Sequence, residues 1–414
     1  MHTLTEQKKL HFLIIDDDEK SNELFRILLE HEGHKVTTTT LSTQVVEQTT
    51  RLQPDCIISD ISMPELDGLD LFQSIRKIKN INQPTFIIVT AKIFEFDRRR
   101  AFELGVNGYI VKPVDPETFV ADVLEIIEGK ILIKFWGVRG TLPVPGVNTN
   151  RYGGNTSCVT LNYAGKEFLI FDAGTGIKEL SNHLLNLNQF PFTAKIFISH
   201  PHYDHINAIP FFVPLYMKGN KFDIFGSAHN DIGIEKLIAA QMDSLYSPIT
   251  TKEFAASLTF HDLKEESFDI DDLHIQTILL NHPGRCLGYR VQYKNKSFCY
   301  ITDHELYLEN SPQYNQFDVD RLIHFIHETD VLVIDATYTD SEYLKKIGWG
   351  HSCISRVIDV ADKANVKLVC LFHHDPDQLD KDIDLKVKEA NSLLELRNSK
   401  TQCIAPHEGH TIII

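Results

Sequence analysis

Short apolar runs and amphipathic stretches alternate through the first 130 residues, and this alternation restricts the possible folds more than any other feature of the sequence. The apolar runs, the last of them weaker, are His11–Ile15, Cys56–Ser59, Phe86–Thr90, Tyr109–Val111 and Lys35–Thr39. The helical patterns are Lys20–His31, Ser42–Thr50, Leu69–Lys77, Phe94–Leu104 and Pro116–Ile127. Five strand-then-helix repeats predict βαβ units and a parallel sheet with helices on both faces.

The pattern changes at Gly129, after which strand candidates become crowded and helices fewer. The predicted strands are Lys130–Val138, Ser157–Tyr163, Glu167–Phe171, Ile196–Ser199, Phe222–Phe225, Leu273–Leu280, Gly288–Tyr293, Ser297–Thr302, Val331–Ile334 and Lys367–Phe372. The predicted helices are Gly176–Leu185, Ile232–Leu245, Ser352–Ala364 and Asp382–Leu396. Many strands with few helices favour a layered αββα sandwich. We therefore expect an α/β chain of two domains, residues 1–129 and 130–414.

Composition limits the partners and the location of the chain. Residues 1–130 hold 15 Lys and Arg against 22 Asp and Glu, so they carry −7 of the total charge of −16, and the rest carries −9. Neither part offers a basic surface for DNA or an anionic membrane. The sequence has no apolar run of about 18 residues and no signal peptide at its beginning, so no membrane span is expected. Its seven cysteines form no CxxC motif, which predicts a cytoplasmic protein with reduced thiols.

Acidic residues follow the first and third predicted strands of the first domain. Asp16 and Asp17 end the first strand, and Asp60 ends the third. Thr90 ends the fourth strand, and Lys112 ends the fifth. Strand ends of a parallel sheet meet at one edge, where clustered carboxylates need a cation such as Mg²⁺. A carboxylate beside Mg²⁺ can accept a phosphoryl group.

Residues 10–128 resemble the receiver domain of response regulators, which has a flavodoxin-like (βα)5 fold. The resemblance implies that Asp60 is the phosphoacceptor and that Asp16, Asp17 and Asp60 hold Mg²⁺. Thr90 and Tyr109 would be the switch residues and Lys112 the conserved lysine, with a sensor histidine kinase as phosphodonor. It also implies a cis peptide between Lys112 and Pro113. Asp18 is expected to cap the following helix instead.

A second group of polar residues lies in the segment IFISHPHYDH, residues 196–205. A predicted strand delivers four potential ligands into one loop: His200, His202, Asp204 and His205. Histidines at alternating positions of an extended backbone point the same way. Four such ligands in six residues are hard to explain by core packing, so the segment predicts a metal site.

Three further predicted strands end in potential ligands. His282 follows Leu273–Leu280, Asp303 follows Ser297–Thr302, and either His373 or His374 follows Lys367–Phe372. We favour His373 because it comes first after its strand. Together with the first loop, these residues suit two metal ions with one bridging carboxylate. Imidazole-rich ligation favours Zn²⁺, with Mn²⁺ or Fe as alternatives.

Residues 131–414 resemble the metallo-β-lactamase superfamily of hydrolases. The resemblance implies that His200, His202 and His282 hold one metal. Asp204, His205 and His373 would hold the other, with Asp303 bridging the two. Asp172, in the segment FDAGTG, would support the histidine loop.

Four segments resemble the ribonuclease Z-like and phosphodiesterase branch of that superfamily: WGVRGTLPVPG (136–146), RYGGNTSC (151–158), DATY (335–338) and GHS (350–352). The resemblance implies Asp204 and His351 as catalytic residues, with His351 moving a proton or binding phosphate. An exposed loop histidine is the alternative for His351. No glycine- and lysine-rich arm for gripping transfer RNA is evident, which together with the acidic charge disfavours a large RNA substrate.

The expected function is that of a response regulator whose output is a phosphodiesterase for a small phosphodiester such as a cyclic nucleotide. Phosphorylation of Asp60 would gate the output, within the chain or through a homodimer. One alternative is a lactonase, thioesterase or β-lactamase-like hydrolase, since the ligand set alone does not exclude it. Another is a non-hydrolytic di-iron sensor, although that branch usually has Glu where this chain has His202.

Overall fold

The computed structural model describes residues 9–79, 81–92, 97–98, 100–101, 104–163, 168–187, 190–229, 232–245 and 248–414. The chain divides into two compact units, of which the first ends at Lys130 and the second comprises most of the chain from Ile131 onward. Among the described residues, no helix combines the length and the apolar character needed to cross a bilayer.

The first unit is a five-stranded parallel sheet with the strand order β2-β1-β3-β4-β5. The strands are β1 (His11–Ile15), β2 (Lys35–Thr39), β3 (Cys56–Ser59), β4 (Thr85–Thr90) and β5 (Gly108–Val111). The helices described are Glu19–His31, Val45–Leu52, Gly68–Arg76 and Phe119–Glu128. Every residue of β3 is buried, as expected for a central strand covered by helices on both faces. The predicted flavodoxin-like fold is confirmed.

Two of the helices predicted in the first unit span residues 94–104 and 116–127. The pattern predicted as a helix over residues 94–104 lies largely outside the described residues. The last helix begins at Phe119, three residues later than predicted, because Asp115 organises a turn before it. The backbone N–H groups of Thr118 and Phe119 both donate to the Asp115 carbonyl, and the Asp115 carboxylate accepts from the N–H of Glu117. As predicted, Asp18 caps the first helix by accepting from the N–H of Lys20.

The second unit contains two seven-stranded sheets, ordered β11-β10-β9-β8-β7-β6-β19 and β12-β13-β14-β15-β16-β17-β18. The first sheet consists of β6 (Ile131–Gly137), β7 (Cys158–Tyr163), β8 (Phe168–Phe171), β9 (Thr193–Ile198), β10 (Lys221–Ser227), β11 (Ser257–Leu263) and β19 (Thr411–Ile413). The second consists of β12 (Ser267–Ile270), β13 (Leu273–Leu279), β14 (Leu287–Tyr293), β15 (Lys296–Ile301), β16 (Val331–Asp335), β17 (Leu368–Phe372) and β18 (Gln402–Ile404).

Aromatic side chains fill the space between these two sheets. Phe171 of β8 packs on Phe298 and Tyr300 of β15, with ring centroids 5.2 and 5.4 Å apart. Phe197 of β9 packs on Tyr289 of β14 at 5.4 Å. Helices cover the outer faces: Gly176–Leu187, Ile234–Gln241, Gln316–Phe325, Ile354–Lys363 and Asp380–Leu396. Two further helices, Tyr203–Ile206 and Asp340–Tyr343, are single turns. Each sheet shares a separate apolar core with its helices, so the predicted αββα sandwich is confirmed.

Four strands and three helices of the second unit were not predicted. The strands β11, β12, β18 and β19 lie at the sheet edges. Polar residues interrupt the apolar ones in β11 and β12, and β18 and β19 have only three residues each. The helix Gln316–Phe325 buries only Val319 and Leu322 fully, so its apolar stripe is narrow. The helices Tyr203–Ile206 and Asp340–Tyr343 are single turns, too short for helical periodicity to register.

Candidate metal centre and phosphoacceptor site

Polar residues follow the carboxyl ends of parallel strands in both sheets of the second unit. Strands β15, β16 and β17 run parallel, and Asp303, Asp335 and His373 lie at or just beyond their ends. In the other sheet, β8 and β9 run parallel and lead into Asp172 and His200. Because parallel strands end at the same edge, these residues meet at one edge of the sandwich.

The structure brings all seven residues predicted to bind metal in this unit into two groups that share one carboxylate. In each group, one potential ligand atom per residue lies within 4.8 Å of all the others. The first group is His200, His202, His282 and Asp303, and the second is Asp204, His205, Asp303 and His373. The arrangement therefore offers two adjacent ligand sets.

The two oxygens of Asp303 face different groups. Oδ2 lies 3.5 Å from Nε2 of His200 and 3.5 Å from Nε2 of His282. Oδ1 lies 3.2 Å from Nε2 of His205 and 3.0 Å from Nε2 of His373. Asp303 is 2% exposed and has a φ of 46°, so the backbone turns sharply where its carboxylate enters the cluster. A carboxylate with one oxygen toward each ligand set is placed to bridge two cations.

Two buried nitrogens test whether the cluster suits metal ions. Among the described residues, nothing forms a hydrogen bond with Nε2 of His200 or Nε2 of His205. Leaving a buried polar atom without a partner is costly. Both atoms face the shared carboxylate, and a metal ion would satisfy both, so the residues present fit a dinuclear centre.

The opposite ring nitrogens of these histidines contact groups outside the cluster. Nδ1 of His205 lies 2.7 Å from Oδ2 of Asp172, and Nδ1 of His282 lies 2.9 Å from the carbonyl oxygen of Gly350. Because both partners only accept, each Nδ1 carries a proton, and each Nε2 is the nitrogen that would face a metal ion. Outer contacts of this kind orient metal-binding histidines.

Burial and charge together set the protonation states in the cluster. Burial lowers the pKa of His200 well below its usual value. Burial by itself would raise the pKa of Asp204, but His205 and His373 hold it well below its usual range. For Asp303 too, burial opposes ionisation, whereas His373 and His205 lower the pKa well below its usual value. Ionised carboxylates and a neutral His200 are the forms that bind metal.

His351 lies beside the ligand groups rather than on the surface. Its ring centroid is 5.2 Å from that of His282 and 4.9 Å from that of His373. Nδ1 of His351 lies 2.7 Å from Oδ2 of Asp335, a carboxylate that is fully buried. Burial by itself would lower the pKa of His351, but Asp335 raises it to about 9. A histidine protonated at neutral pH can donate a proton into the site.

The segment after β6 closes over the cluster from another side. The backbone N–H of Thr141 donates to Oδ2 of Asp204 at 2.7 Å. A Cβ on Gly140 would lie 2.2 Å from the ring of His373, so only glycine fits this close approach. The sequence WGVRGTLPVPG therefore supplies backbone that touches the ligands directly.

One supporting residue that sequence reasoning missed is Glu305. It is 3% exposed, and its carboxylate accepts from the N–H groups of Gly348 and Gly350 and from the hydroxyl of Tyr343, at 2.7, 2.8 and 2.9 Å. Since the carbonyl of Gly350 in turn accepts from His282, Glu305 fixes the loop that orients this histidine. The sequence feature that could have indicated Glu305 is its position two residues after the ligand candidate Asp303.

The structure separates His373 from His374. His373 belongs to the second ligand group, whereas Nδ1 of His374 lies 2.9 Å from Nζ of the buried Lys386. Burial, followed by repulsion from Lys386, lowers the pKa of His374 well below its usual value. This geometry favours His373 as the ligand candidate.

In the first unit, Asp16, Asp17 and Asp60 come together at the carboxyl ends of β1 and β3. Nζ of Lys112 lies 2.5 Å from Oδ2 of Asp16 and 3.0 Å from Oδ2 of Asp60. Burial raises the pKa of Asp16, an effect that Lys112 opposes. A carboxylate cluster with an adjacent ammonium is suited to a cation and a phosphoryl group.

The two predicted switch residues lie near this cluster. Thr90 is 1% exposed, and its hydroxyl oxygen lies 3.4 Å from the N–H of Lys92. Tyr109 is 5% exposed, and its hydroxyl donates to the carbonyl of Lys92 at 2.9 Å. The peptide between Lys112 and Pro113 is cis, as the resemblance predicts.

Family models match both parts of the chain. The model described as a response regulator receiver domain matches residues 12–124, and that described as a beta-lactamase superfamily domain matches residues 168–374. The second match covers half of the 414 residues.

Curated relatives match the first unit. An uncharacterized 14.6 kDa protein of Leptolyngbya boryana is 35% identical over 116 residues, which cover 28% of this chain and 86% of that protein. Response regulator SaeR of Staphylococcus aureus is 33% identical over 117 residues, again 28% of this chain. The chain spans 50% of the length of SaeR, so the likeness concerns this part alone.

Solved structures match the second unit. The metallo-beta-lactamase fold protein YhfI from Bacillus subtilis superposes with a TM-score of 0.51 and 16% identity, covering 69% of this chain and all of that one. Unliganded yeast PDE1 superposes with a TM-score of 0.52 and 14% identity, with the same coverage. At such identities the likeness shows the fold alone. The chain belongs to the beta-lactamase superfamily, and it carries a response regulator receiver domain ahead of its beta-lactamase superfamily domain.

Proposed function

We propose that this protein is a response regulator whose output is a metal-dependent phosphodiesterase acting on a small phosphodiester such as a cyclic nucleotide. The observation that carries the proposal is the pair of ligand groups joined through Asp303. Two cations held 3.5–4 Å apart are typical of enzymes that displace a group at phosphorus. The acidic charge of −9 after residue 130 favours a small substrate over a long polyanion.

Seven residues would hold the two metal ions: His200, His202 and His282 on one side, Asp204, His205 and His373 on the other, and Asp303 between them. Five imidazoles favour Zn²⁺, with Mn²⁺ or Fe as alternatives. When bound, the ions would activate water and stabilise charge on the phosphoryl oxygens. Asp172 and Gly350 keep His205 and His282 in the tautomer that presents Nε2.

His351 is assigned the role of proton donor to the leaving oxygen. Its Nδ1 is held by Asp335 at 2.7 Å, which leaves Nε2 to carry a transferable proton. The assignment predicts a dependence on the leaving group. In His351→Ala, turnover of a diester with an alkoxide leaving group should fall more than turnover of bis(p-nitrophenyl) phosphate, because p-nitrophenolate leaves without a proton. Equal losses for both substrates would argue against the assignment.

Asp60 is assigned as the phosphoacceptor, with Mg²⁺ held by Asp16, Asp17 and Asp60 and a sensor histidine kinase as phosphodonor. The ammonium of Lys112 already bridges Asp16 and Asp60, so it can pair with an arriving phosphoryl group. Thr90 and Tyr109 would respond to the new charge. We propose that this change gates the hydrolase.

The decisive experiment offers the zinc-loaded protein a panel of phosphodiesters, cyclic nucleotides, a lactone, a thioester and a chromogenic β-lactam. We expect turnover of phosphodiesters, lost in His202→Ala and kept in His274→Ala, which alters a histidine on strand β13 paired with Asp269. Turnover of only the lactone, thioester or lactam would contradict the phosphodiesterase proposal and support the alternative of a lactonase, thioesterase or β-lactamase-like hydrolase. A coloured iron protein that hydrolyses nothing would point to the sensor.

A further inference from the structure

Two large aromatic side chains stand exposed beside the candidate metal centre. Tyr203 is 74% exposed and Trp349 is 61% exposed. Tryptophan is among the side chains that proteins bury most extensively on average. Single exposed apolar residues are common, so it is their position that gives these two significance.

Each aromatic residue adjoins a segment that contacts the first ligand group. Tyr203 lies between His202 and Asp204 in the chain, and the ring of His202 is 5.1 Å from that of His282. Trp349 precedes Gly350, whose carbonyl accepts from His282 and whose Cβ position would lie 2.4 Å from Nδ1 of that ring. Tyr203 and Trp349 are therefore each one residue away from backbone on the His202–His282 side of the centre.

An exposed guanidinium is likewise one residue away from backbone on this side of the centre. Arg285 follows Gly284, whose Cβ position would lie 3.4 Å from Nε2 of His202. Nowhere in the described part of the chain does a hydrogen bond or an ion pair engage the Arg285 side chain. The nearby cation Lys346, by contrast, is paired with Asp375 at 2.8 Å. Arg285 is thus a positive group available for an anionic ligand.

We propose that Tyr203 and Trp349 stack on an aromatic base of the substrate while Arg285 binds a phosphoryl oxygen, so that the substrate class is a nucleotide phosphodiester. Aromatic rings accept any base by its π-face. The planar guanidinium matches the geometry of a phosphate. This inference rests on the proposed function and narrows it to substrates that carry a base.

Tryptophan fluorescence provides a test that does not depend on turnover. The chain has two tryptophans, and Trp136 is 7% exposed with its N–H bound to the hydroxyl of Thr160. In a Trp136→Phe background, the emission reports on Trp349 alone. Adenosine 5′-monophosphate should quench this emission and shield it from iodide, whereas ribose 5-phosphate, which lacks a base, should do neither.

Calorimetry on single variants separates the stacking contribution from the phosphate contribution. Trp349→Ala and Tyr203→Ala should each lower the affinity for adenosine 5′-monophosphate by about 5- to 150-fold and leave the affinity for ribose 5-phosphate unchanged. Arg285→Ala should lower the affinity for both ligands by the same factor, and Arg285→Lys should restore part of the lost affinity. The matched control is Phe317→Ala, since Phe317 is 68% exposed on the helix Gln316–Phe325 and should not affect binding.

The possible outcomes are distinct. Wild-type affinity for adenosine 5′-monophosphate in both aromatic variants would overturn the inference. An equal loss of affinity for adenosine 5′-monophosphate and ribose 5-phosphate in Trp349→Ala would overturn it too. Turnover of an aliphatic phosphodiester as fast as a nucleotide diester would overturn it as well, while leaving the phosphodiesterase proposal intact. If no phosphodiester is hydrolysed, the proposed function fails, but base-dependent quenching of Trp349 would still support nucleotide binding.

Discussion

The substitution Asp172→Asn tests how a buried carboxylate supports the candidate metal centre. Asp172 is fully buried, and its two oxygens accept four hydrogen bonds. Oδ1 accepts from the N–H of Ser199 at 2.7 Å. Oδ2 lies 2.8, 2.7 and 2.9 Å from the Ser199 hydroxyl, Nδ1 of His205 and the Tyr300 hydroxyl. Asparagine keeps the shape but replaces one acceptor oxygen with a donor.

Either orientation of the new amide loses at least one of these bonds. If the amide nitrogen replaces Oδ1, it faces the N–H of Ser199, and neither group can accept. A buried donor left without an acceptor costs about 1–3 kcal/mol in the free energy of unfolding. If the amide nitrogen replaces Oδ2 instead, it faces Nδ1 of His205 and favours the wrong tautomer. Loss of such an outer contact typically lowers metal affinity about 10- to 100-fold.

The assay combines urea unfolding of the metal-free protein with zinc competition against a chelator. The matched control is Asp223→Asn, since Asp223 also contacts a histidine, His261 at 3.2 Å, but the pair is solvent-exposed. We expect the control to change neither quantity, because exposed pairs contribute little. Wild-type stability together with wild-type zinc affinity in Asp172→Asn would refute the support assigned to Asp172.

Three further predictions concern other residues. Asp60→Asn should abolish phosphorylation by acetyl phosphate with Mg²⁺ and leave the thermal unfolding transition in place, and full phosphate incorporation would refute the assignment. Metal analysis should find about two ions per chain, and Asp303→Ala should lower that number more than His202→Ala, because only Asp303 faces both groups; equal losses would contradict the bridging arrangement. Glu305→Gln should weaken zinc binding, measured by chelator competition, because it loosens the loop at Gly350 that orients His282; unchanged affinity would show that the loop holds without it.

Strand ends account for most of what the sequence predicts correctly. The ligand candidates follow strands that are rich in apolar residues, and the parallel pairing of β15, β16 and β17 brings the ends of these strands to one edge. The order of strands and ligands in the sequence is therefore enough to predict that Asp303 and His373 meet. The histidine loop can also be predicted as a metal site from the sequence, because its four ligand candidates lie within six residues.

The sequence predicts a residue's role less well where that role depends on contacts with residues far away in the chain. Glu305 acts through backbone N–H groups of Gly348 and Gly350, which are 43 and 45 residues away, and no local pattern marks such a bond. The distinction between His373 and His374 depends on Lys386, whose Nζ contacts Nδ1 of His374 from a helix twelve residues further along the chain. Edge strands such as β11 alternate partly buried and exposed residues, and their pairing with a neighbour provides what their sequence lacks.

The geometry of the ligand groups also restricts how phosphorylation could control turnover. Several ligands are held from outside by groups buried in the second unit, including Asp172 behind His205 and the Gly350 carbonyl behind His282. Displacing these ligands would leave several buried hydrogen-bonding groups without partners, at about 1–3 kcal/mol each, which together exceeds the coupling of about 1–3 kcal/mol typical between sites. We therefore expect phosphorylation of Asp60 to change turnover about 5- to 150-fold through substrate access or dimerisation, with metal content and zinc affinity unchanged. Turnover, sedimentation and metal analysis with and without beryllofluoride would test this. A change in zinc affinity on beryllofluoride binding would show that the signal reaches the ligands themselves, and unchanged turnover with confirmed binding would show that the receiver domain does not gate the hydrolase.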